Sequence, residues 1–478
     1  FVARTTTRRA TRRERDEMSR RRRREGFDRL RMAVSASRAR VPFVSATRGR
    51  RGRTSRAMRE GSNEGRDARE TARGVEIRKP SREDVDAWTT RTCRADALWL
   101  APLTRGGNYA FRRLCEVDFG ARVTVSEMAF ARFLGKGNRV ERARLRRVRE
   151  RGDGERTFGA QIATNAIGEG VRAGLIASGE FGADFVDLNC GCPIHETWKR
   201  GLGAALLKKP AKLERLVEGI ANGIDVPLTV KIRLGIDSSS QASRIAEALE
   251  NAGASAIVVH GRTKEQRYTS ASDYDVIKRL VEERNVPIVG NGDVLTWYDA
   301  RDRIAHSGVA AMMVGRGALI KPWIFKEFAE GREWLPTALE RVGVYYTLRT
   351  YMMESFGDDD IGKRRYDDFM PWHMGFFCRY RPLPEALFSG RAIDDPLLQS
   401  RLDIAVDGES LEALSPVERL LRCTSEDAHA AISEILWEAA SPEDAMNRLE
   451  DAAKTSLEEW TARVAAGTRG TSVDTIRG

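Results

Sequence analysis

Histidine is scarce in this chain, five among 478 residues, and cysteine is nearly as rare, with six. Cys93, Cys115, Cys190, Cys192, Cys378 and Cys423 lie scattered apart from one C-x-C pair. A C-x-C pair in a turn is neither a zinc ribbon nor a disulfide framework. No metal is therefore expected, and the cysteine usage is that of a reducing compartment. No apolar run reaches the roughly 18 residues of a membrane-spanning helix. Lysine is missing from the first 75 residues, which hold 24 arginines against nine acidic side chains. That excess of fifteen outweighs the whole-chain formal charge of +12, so the remainder carries −3. The high net charge thus belongs to one end of the chain, and any argument for nucleic acid binding elsewhere must rest on local patches.

Residues 1–75 are rich in Arg, Ser, Thr, Ala and Gly, with a run of like charge from Arg20 to Arg24. A segment so poor in apolar residues is expected to be disordered. Three readings compete for it: an organelle-targeting segment, a basic arm for RNA, and a plain extension. Targeting segments of this kind are poor in acid, and nine acidic residues weigh against that reading. The compartment stays open between cytoplasm, nucleus and organelle.

Order is expected from near Pro80, where Ser81-Arg82-Glu83-Asp84 reads as a capped helix start. From there short apolar strands alternate with helical stretches. Eight strands are expected: Ala97–Leu100, Arg122–Ser126, Phe158–Ile162, Phe185–Leu188, Leu228–Ile232, Ala256–Val259, Pro287–Val289 and Ala311–Val314. They show little alternation, as strands covered on both faces do. Helices such as Ala211–Gly223 and Ser243–Ala252 lie between them. Eight such units predict an α/β fold, a TIM (β/α)8 barrel over residues 76–334. A doubly wound sheet is the alternative, but no G-x-G-x-x-G follows the first strand, where Pro102 to Gly107 stand. Residues 335–478 read as a smaller helical domain with a frayed end. In it Ser441-Pro442 opens a helix, and Met446, Leu449, Ala453, Leu457, Trp460 and Val464 are spaced to share one face.

Barrel enzymes place their chemistry on the loops after the strands. The stretch Phe185 to Pro193 holds the most informative of these positions. Asn189, Cys190 and Cys192 are expected beyond the strand's end, with Gly191 and Pro193 turning the chain. Cys190 is best read as core packing. Cys192, in the turn, reads as a functional thiol. Gln161, Lys231 and His260 are polar groups set in apolar strands. A buried lysine is costly without a polar or anionic partner, so a shared ligand is expected there. Gly-containing turns after the last two strands, with Asn291, Gly292, Asp293, Gly315 and Arg316, suit one phosphate group. A planar, polar ligand with one phosphate describes FMN better than a dinucleotide.

These residues are familiar. Asn189-Cys-Gly-Cys-Pro193 with Gly203-Ala-Ala-Leu-Leu207, Leu100-Ala-Pro-Leu-Thr104 and Val226-Pro-Leu-Thr-Val-Lys-Ile-Arg233 resemble tRNA-dihydrouridine synthases. So do His260-Gly-Arg-Thr-Lys-Glu-Gln-Arg-Tyr268, Gly290-Asn-Gly-Asp293 and Arg316-Gly-Ala-Leu-Ile-Lys-Pro-Trp323. The Pro-Leu-Thr, Glu-Gln-Arg-Tyr and Lys-Pro-Trp forms are most like the eukaryotic type acting on uridine 47. The resemblance runs from about residue 97 to 330 and continues more weakly to Tyr380. It implies that NADPH reduces a bound FMN, that hydride passes to C6 of a uracil, and that Cys192 protonates C5. It implies that Pro102, Leu103 and Thr104 line the flavin, that Gln161, Lys231 and His260 hydrogen-bond it, and that Asn291, Gly292, Asp293, Gly315 and Arg316 hold its phosphate. Asn189 is similar in position to a residue touching the uracil. Lys199, Arg200, Arg262 and Arg267 are expected at the RNA, with Arg364 and Arg379 on a tRNA-gripping helical domain of a monomer. The uridine-47 type commonly carries zinc-finger modules before the barrel, and residues 1–92 contain neither Cys nor His. Leu202 stands where the family often has glycine, which is expected to stiffen the loop. The rival readings are an FMN barrel oxidoreductase acting on a small pyrimidine-like molecule, and a non-catalytic RNA-binding barrel.

Overall fold

A computed structural model describes residues 78–148, 156–389, Leu398 and 414–466. The expected basic extension and the frayed end lie outside the described residues. The first helix, Arg82–Thr92, starts where its capping signal puts it. Ser81 Oγ accepts from the Asp84 N–H at 3.1 Å, and the Asp84 carboxylate accepts from the Ser81 N–H at 2.9 Å.

Among the described residues nine strands follow: β1 Leu98–Leu100, β2 Val123–Val125, β3 Ala129–Phe130, β4 Thr157–Ala163, β5 Phe185–Cys190, β6 Leu228–Arg233, β7 Ala256–His260, β8 Ile288–Asn291 and β9 Ala311–Val314. All pairings are parallel. Because β2 pairs with both β1 and β4, and β1 with β9, eight strands close into a ring: a TIM barrel. The ninth, two-residue β3, is an unexpected addition running beside the end of β4. The expected Ala211–Gly223 and Ser243–Ala252 helices are Pro210–Ala221 and Ala242–Asn251.

Strand parity sorts the side chains. Leu188, Val230, Ile257 and Val314 face the helices in the large outer core. Trp99, Val123, Val125, Phe185, Val258, Val289 and Met313 fill the barrel interior, and Trp88 of the first helix packs against that cluster. Trp88, Trp99 and Phe185 meet with ring centroids 5.2–6.2 Å apart. Room for Phe185 comes from Gly159 on the neighbouring strand, where a Cβ would fall 2.2 Å from the ring. The apolar layers give way to polar ones, Gln161, Asp187, Asn189, Thr229 and Lys231, toward the strands' C-terminal ends.

One boundary needs correction. The strand expected to end at Leu188 continues through Asn189 and Cys190, because β6 pairs with it as far as Cys190↔Ile232. The loop is Gly191 to Ile194, so Cys192 stands in it and Cys190 does not.

Beyond the barrel the described chain is helical, with Ala338–Phe356 and Asp360–Phe377 the longest elements. Tyr345 and Phe377 stack between them at 4.1 Å. His373 bonds the Leu319 carbonyl, 3.1 Å away, joining these helices to the chain just after β9. Ser441 caps the helix Pro442–Thr455, accepting from Asp444. The single face expected from Met446 to Val464 is divided, since a second helix, Leu457–Ala465, starts after Ser456.

Candidate active site

A cavity of about 350 Å³ opens at the C-terminal ends of the strands. That is within the usual range for a small-molecule or cofactor site. Its lining gathers residues from seven strand ends. Pro102, Leu103 and Thr104 follow β1, Gln161 is on β4, and Asn189 and Cys192 belong to β5 and its loop. Lys231, His260 and Asn291 come from β6, β7 and β8, with Gly292 and Asp293 just beyond; Gly315 and Arg316 follow β9.

The Cys192 loop is held from both sides. Asn189 Oδ1 accepts the backbone N–H of Cys192 at 2.9 Å and of Gly191 at 3.2 Å. The Cys192 carbonyl accepts from Ala204 N at 3.1 Å. Gly203 has φ +60°, and a Cβ there would stand 2.7 Å from the Cys192 carbonyl. Glycine answers both demands at once. Leu202 packs with Met128 and Ala163, and the Cys192 side chain lies against this cluster.

The polar floor is an ordered network. Lys231 Nζ donates to Asn291 Oδ1 at 2.8 Å, and Asn291 Nδ2 donates to the Met313 carbonyl at 2.9 Å. Burial lowers the Lys231 ammonium to about 8, against the opposing pull of Asp187, whose own carboxyl burial raises to about 6. His260 is pushed well below its usual value, first by burial and then by Arg233, Lys231, Arg262 and Arg316, so its imidazole is neutral. Burial also lowers Arg316 to about 10. Its guanidinium stacks over Tyr268, 3.9 Å from the ring centroid.

Arg262 departs from expectation. It is fully buried and ion-pairs with Asp293 at 2.6 Å, while also donating to Ser270 O and Ser272 Oγ. A guanidinium so enclosed supports the site from beneath and is withdrawn from contact with a macromolecule. The Asp293 carboxylate is likewise committed, to Arg262, the Ser272 N–H and Arg316. Its backbone carbonyl accepts from Arg303 Nε at 3.2 Å. Lys199, Arg200 and Arg267 are exposed and do not line the cavity. Arg200 lies over Phe130 and Phe133, at 5.4 and 5.8 Å.

Sequence reasoning placed Arg233 at the end of its strand without giving it a role and missed Arg105, Tyr268, Trp372 and Phe376; all five line the cavity. Arg233 Nε donates to the Gly191 carbonyl at 3.0 Å, so it too supports the Cys192 loop. Trp372 and Phe376 lie on the helix Asp360–Phe377, and the Arg105 guanidinium sits 5.0 Å from the Trp372 ring. Arg105 directly follows Thr104 in the loop after β1 and has φ +67°.

A closed parallel barrel with a network of polar side chains in a cavity at its C-terminal mouth defines a TIM-barrel protein. The dihydrouridine synthase (Dus) family profile matches residues 99–365, more than half of the chain, and the chain belongs to that family. The tRNA-dihydrouridine(47) synthase (NAD(P)+)-like protein of Rattus norvegicus is 38% identical over 308 residues, covering 63% of this chain and 47% of its own length. Its Homo sapiens counterpart is 38% identical over 288 residues, covering 60% and 43%. The tRNA-dihydrouridine(47) synthase of Coprinopsis cinerea is 39% identical over 300 residues, covering 60% and 44%. The chain thus spans a little under half the length of these relatives. Among the described residues no helix is long and apolar enough to cross a membrane.

Proposed function

We propose that this chain reduces the C5–C6 double bond of a uridine in tRNA, most specifically uridine 47, with FMN as its cofactor and NADPH as reductant. The observation that carries the reading is one shared cavity: the Cys192 loop borders the same space as Lys231, Gln161 and Arg316. The donor set fits FMN. Pro102, Leu103 and Thr104 would line the ring system, with Gln161, Lys231 and His260 along its polar edge. Asn291, Gly292, the Asp293 backbone, Gly315 and Arg316 would hold the phosphate. FMN reduced by NADPH supplies the hydride that the uracil C6 requires.

The chain's own part is positioning and proton delivery. Asn189 and Arg233 hold the Cys192 loop through three backbone groups, fixing where the thiol stands. The Cys192 Sγ–H gives its proton to C5, and the hydride and proton together saturate the bond. Neutral His260 offers a hydrogen bond without adding a further charge to a cluster of four cations. The base must leave its stack to enter the cavity. Exposed cations at Lys199, Arg200, Arg267 and Arg364, with Arg379 beside Arg316, supply the electrostatic grip on the RNA backbone. In this reading residues 76–334 are catalytic and residues from 335 onward grip tRNA.

Purified protein tests the reading directly. Its flavin spectrum is recorded, and it is incubated with NADPH and unmodified tRNA before dihydrouridine is mapped. Bound flavin and dihydrouridine at a single tRNA position are expected. Bound flavin with no dihydrouridine on any tRNA points to a small-molecule oxidoreductase, and absence of flavin binding overturns the enzyme reading.

A further inference from the structure

Beneath the cavity lies a carboxylate to which the reaction assigns no role. Asp187 is fully buried on β5, in register between Gln161 of β4 and Thr229 of β6. Both neighbours donate to it: Gln161 Nε2 to Oδ2 at 2.7 Å and Thr229 Oγ1 to Oδ1 at 2.6 Å. Gln161 Oε1 in turn accepts from Asn189 Nδ2 at 2.8 Å. Asn189 Oδ1 closes the chain by accepting the N–H groups of Gly191 and Cys192.

The direction of this chain is chemically forced. Backbone N–H groups only donate, so the Asn189 atom facing them is its oxygen. Its nitrogen then faces Gln161, whose oxygen must accept, and the Gln161 nitrogen faces residue 187. Position 187 therefore has to accept from Gln161, and its other oxygen accepts from Thr229 Oγ1. A carboxylate does both. Each amide keeps one N–H uncommitted within the chain, and both amides line the cavity.

We propose that Asp187 is a positioning residue, the common acceptor that fixes the direction of the Gln161–Asn189 amide chain. Through that chain it sets the Cys192 loop and leaves the two amides facing the cavity as donors, matched to carbonyl oxygens of a bound heterocycle. This rests on the function proposed above. The charged group facing Asp187 is Lys231 from β6, and β4 presents the neutral Gln161; Cys190, next but two on its own strand, points into the outer core and feels the Asp187 charge through the strand.

Exchanging the two partners tests the assignment. Gln161→Glu sets a second carboxylate against Asp187 where a donor is needed, so the pair must hold a shared proton. That raised carboxyl value means stability is present at acid pH and lost as pH rises through it. The melting temperature of Gln161→Glu is expected to fall more steeply with pH than that of the wild type. Its kcat is expected to drop about tenfold or more between about pH 6 and about pH 8.5, with KM for tRNA unchanged. The exchanged pair Gln161→Glu/Asp187→Asn lets the new amide donate to the new carboxylate. It is expected to restore the wild-type pH slope of melting, while kcat stays low because Glu at 161 has no N–H left for the cavity. A single variant with the wild-type slope, or an exchanged pair whose slope is no better than the single's, overturns the proposal. Should Gln161→Glu fail to fold, the exchanged pair carries the test: it folds under the proposal and fails alongside the single variant otherwise. Melting needs no turnover, so a wild type that makes no dihydrouridine would sink the functional reading while leaving this test intact.

Discussion

At the scale of single residues, the reading concentrates on one proton donor and one cation. Cys192→Ala removes the proton donor and leaves the cofactor contacts in place. Turnover is expected to fall by about 10²–10⁴, the usual contribution of a general acid, with flavin content unchanged. Stopped-flow reoxidation of the reduced protein by tRNA, read beside the flavin spectrum, separates the two effects. Lys231 gives a pH prediction with a definite sign. Burial lowers it to about 8, so the ammonium exists below that pH and is lost above it. The apoprotein's affinity for FMN is expected to weaken as pH rises through about 8, and Lys231→Met to remove that dependence. A titration of flavin fluorescence against apoprotein at several pH values checks both. Asp187 shows how a residue can escape a reading by pattern. It sits in an apolar strand that looks buried, and nothing in the sequence pairs it with Gln161 and Thr229. Only the register of three strands does that.

At the scale of elements, the barrel strands were legible because both faces are covered, which makes each strand a short, nearly continuous apolar run. Their ends were less so. β5 runs two residues further than expected because β6 continues to pair with it, and Asn189 and Cys190 are polar or small residues that a pattern reads as loop. Arg262 was misplaced for a related reason. An arginine after a strand reads as exposed, and its burial depends on Asp293 lying one strand away in space. Trp372 and Phe376 were unreachable from the motif pattern, since they lie on a helix that starts 46 residues beyond the last strand. Glycines carry some of the closest packing. Gly159→Ala would drive a Cβ to within 2.2 Å of the Phe185 ring. Overpacking of this kind costs about 1–3 kcal/mol, and a lowered denaturation midpoint with an unchanged slope would show it.

At the scale of the whole molecule, charge and chemistry are divided. The body carries a slight negative excess, and the exposed cations are Lys199 and Arg200, at the end of the helix His195–Lys199 that follows β5, and Arg267, in the chain after β7. Replacing one of them by alanine is expected to weaken tRNA binding and to reduce the slope of log affinity against log salt by about one, with flavin content unchanged. Filter binding across a salt series measures that slope. Slopes unchanged from the wild type in all three variants would place the RNA elsewhere, on the helical part or on the arginine-rich residues 1–75. The helices after the barrel also close the site, because Trp372 and Phe376 form part of its wall.

The central claim is that Cys192 protonates a uracil within the barrel's cavity, and dihydrouridine mapping on unmodified tRNA tests it most directly. Wild-type protein and Cys192→Ala, both shown to hold flavin, are compared with NADPH present. The account predicts dihydrouridine at one position with the wild type and its near-complete loss with the variant. Equal dihydrouridine formation by the two proteins would contradict it.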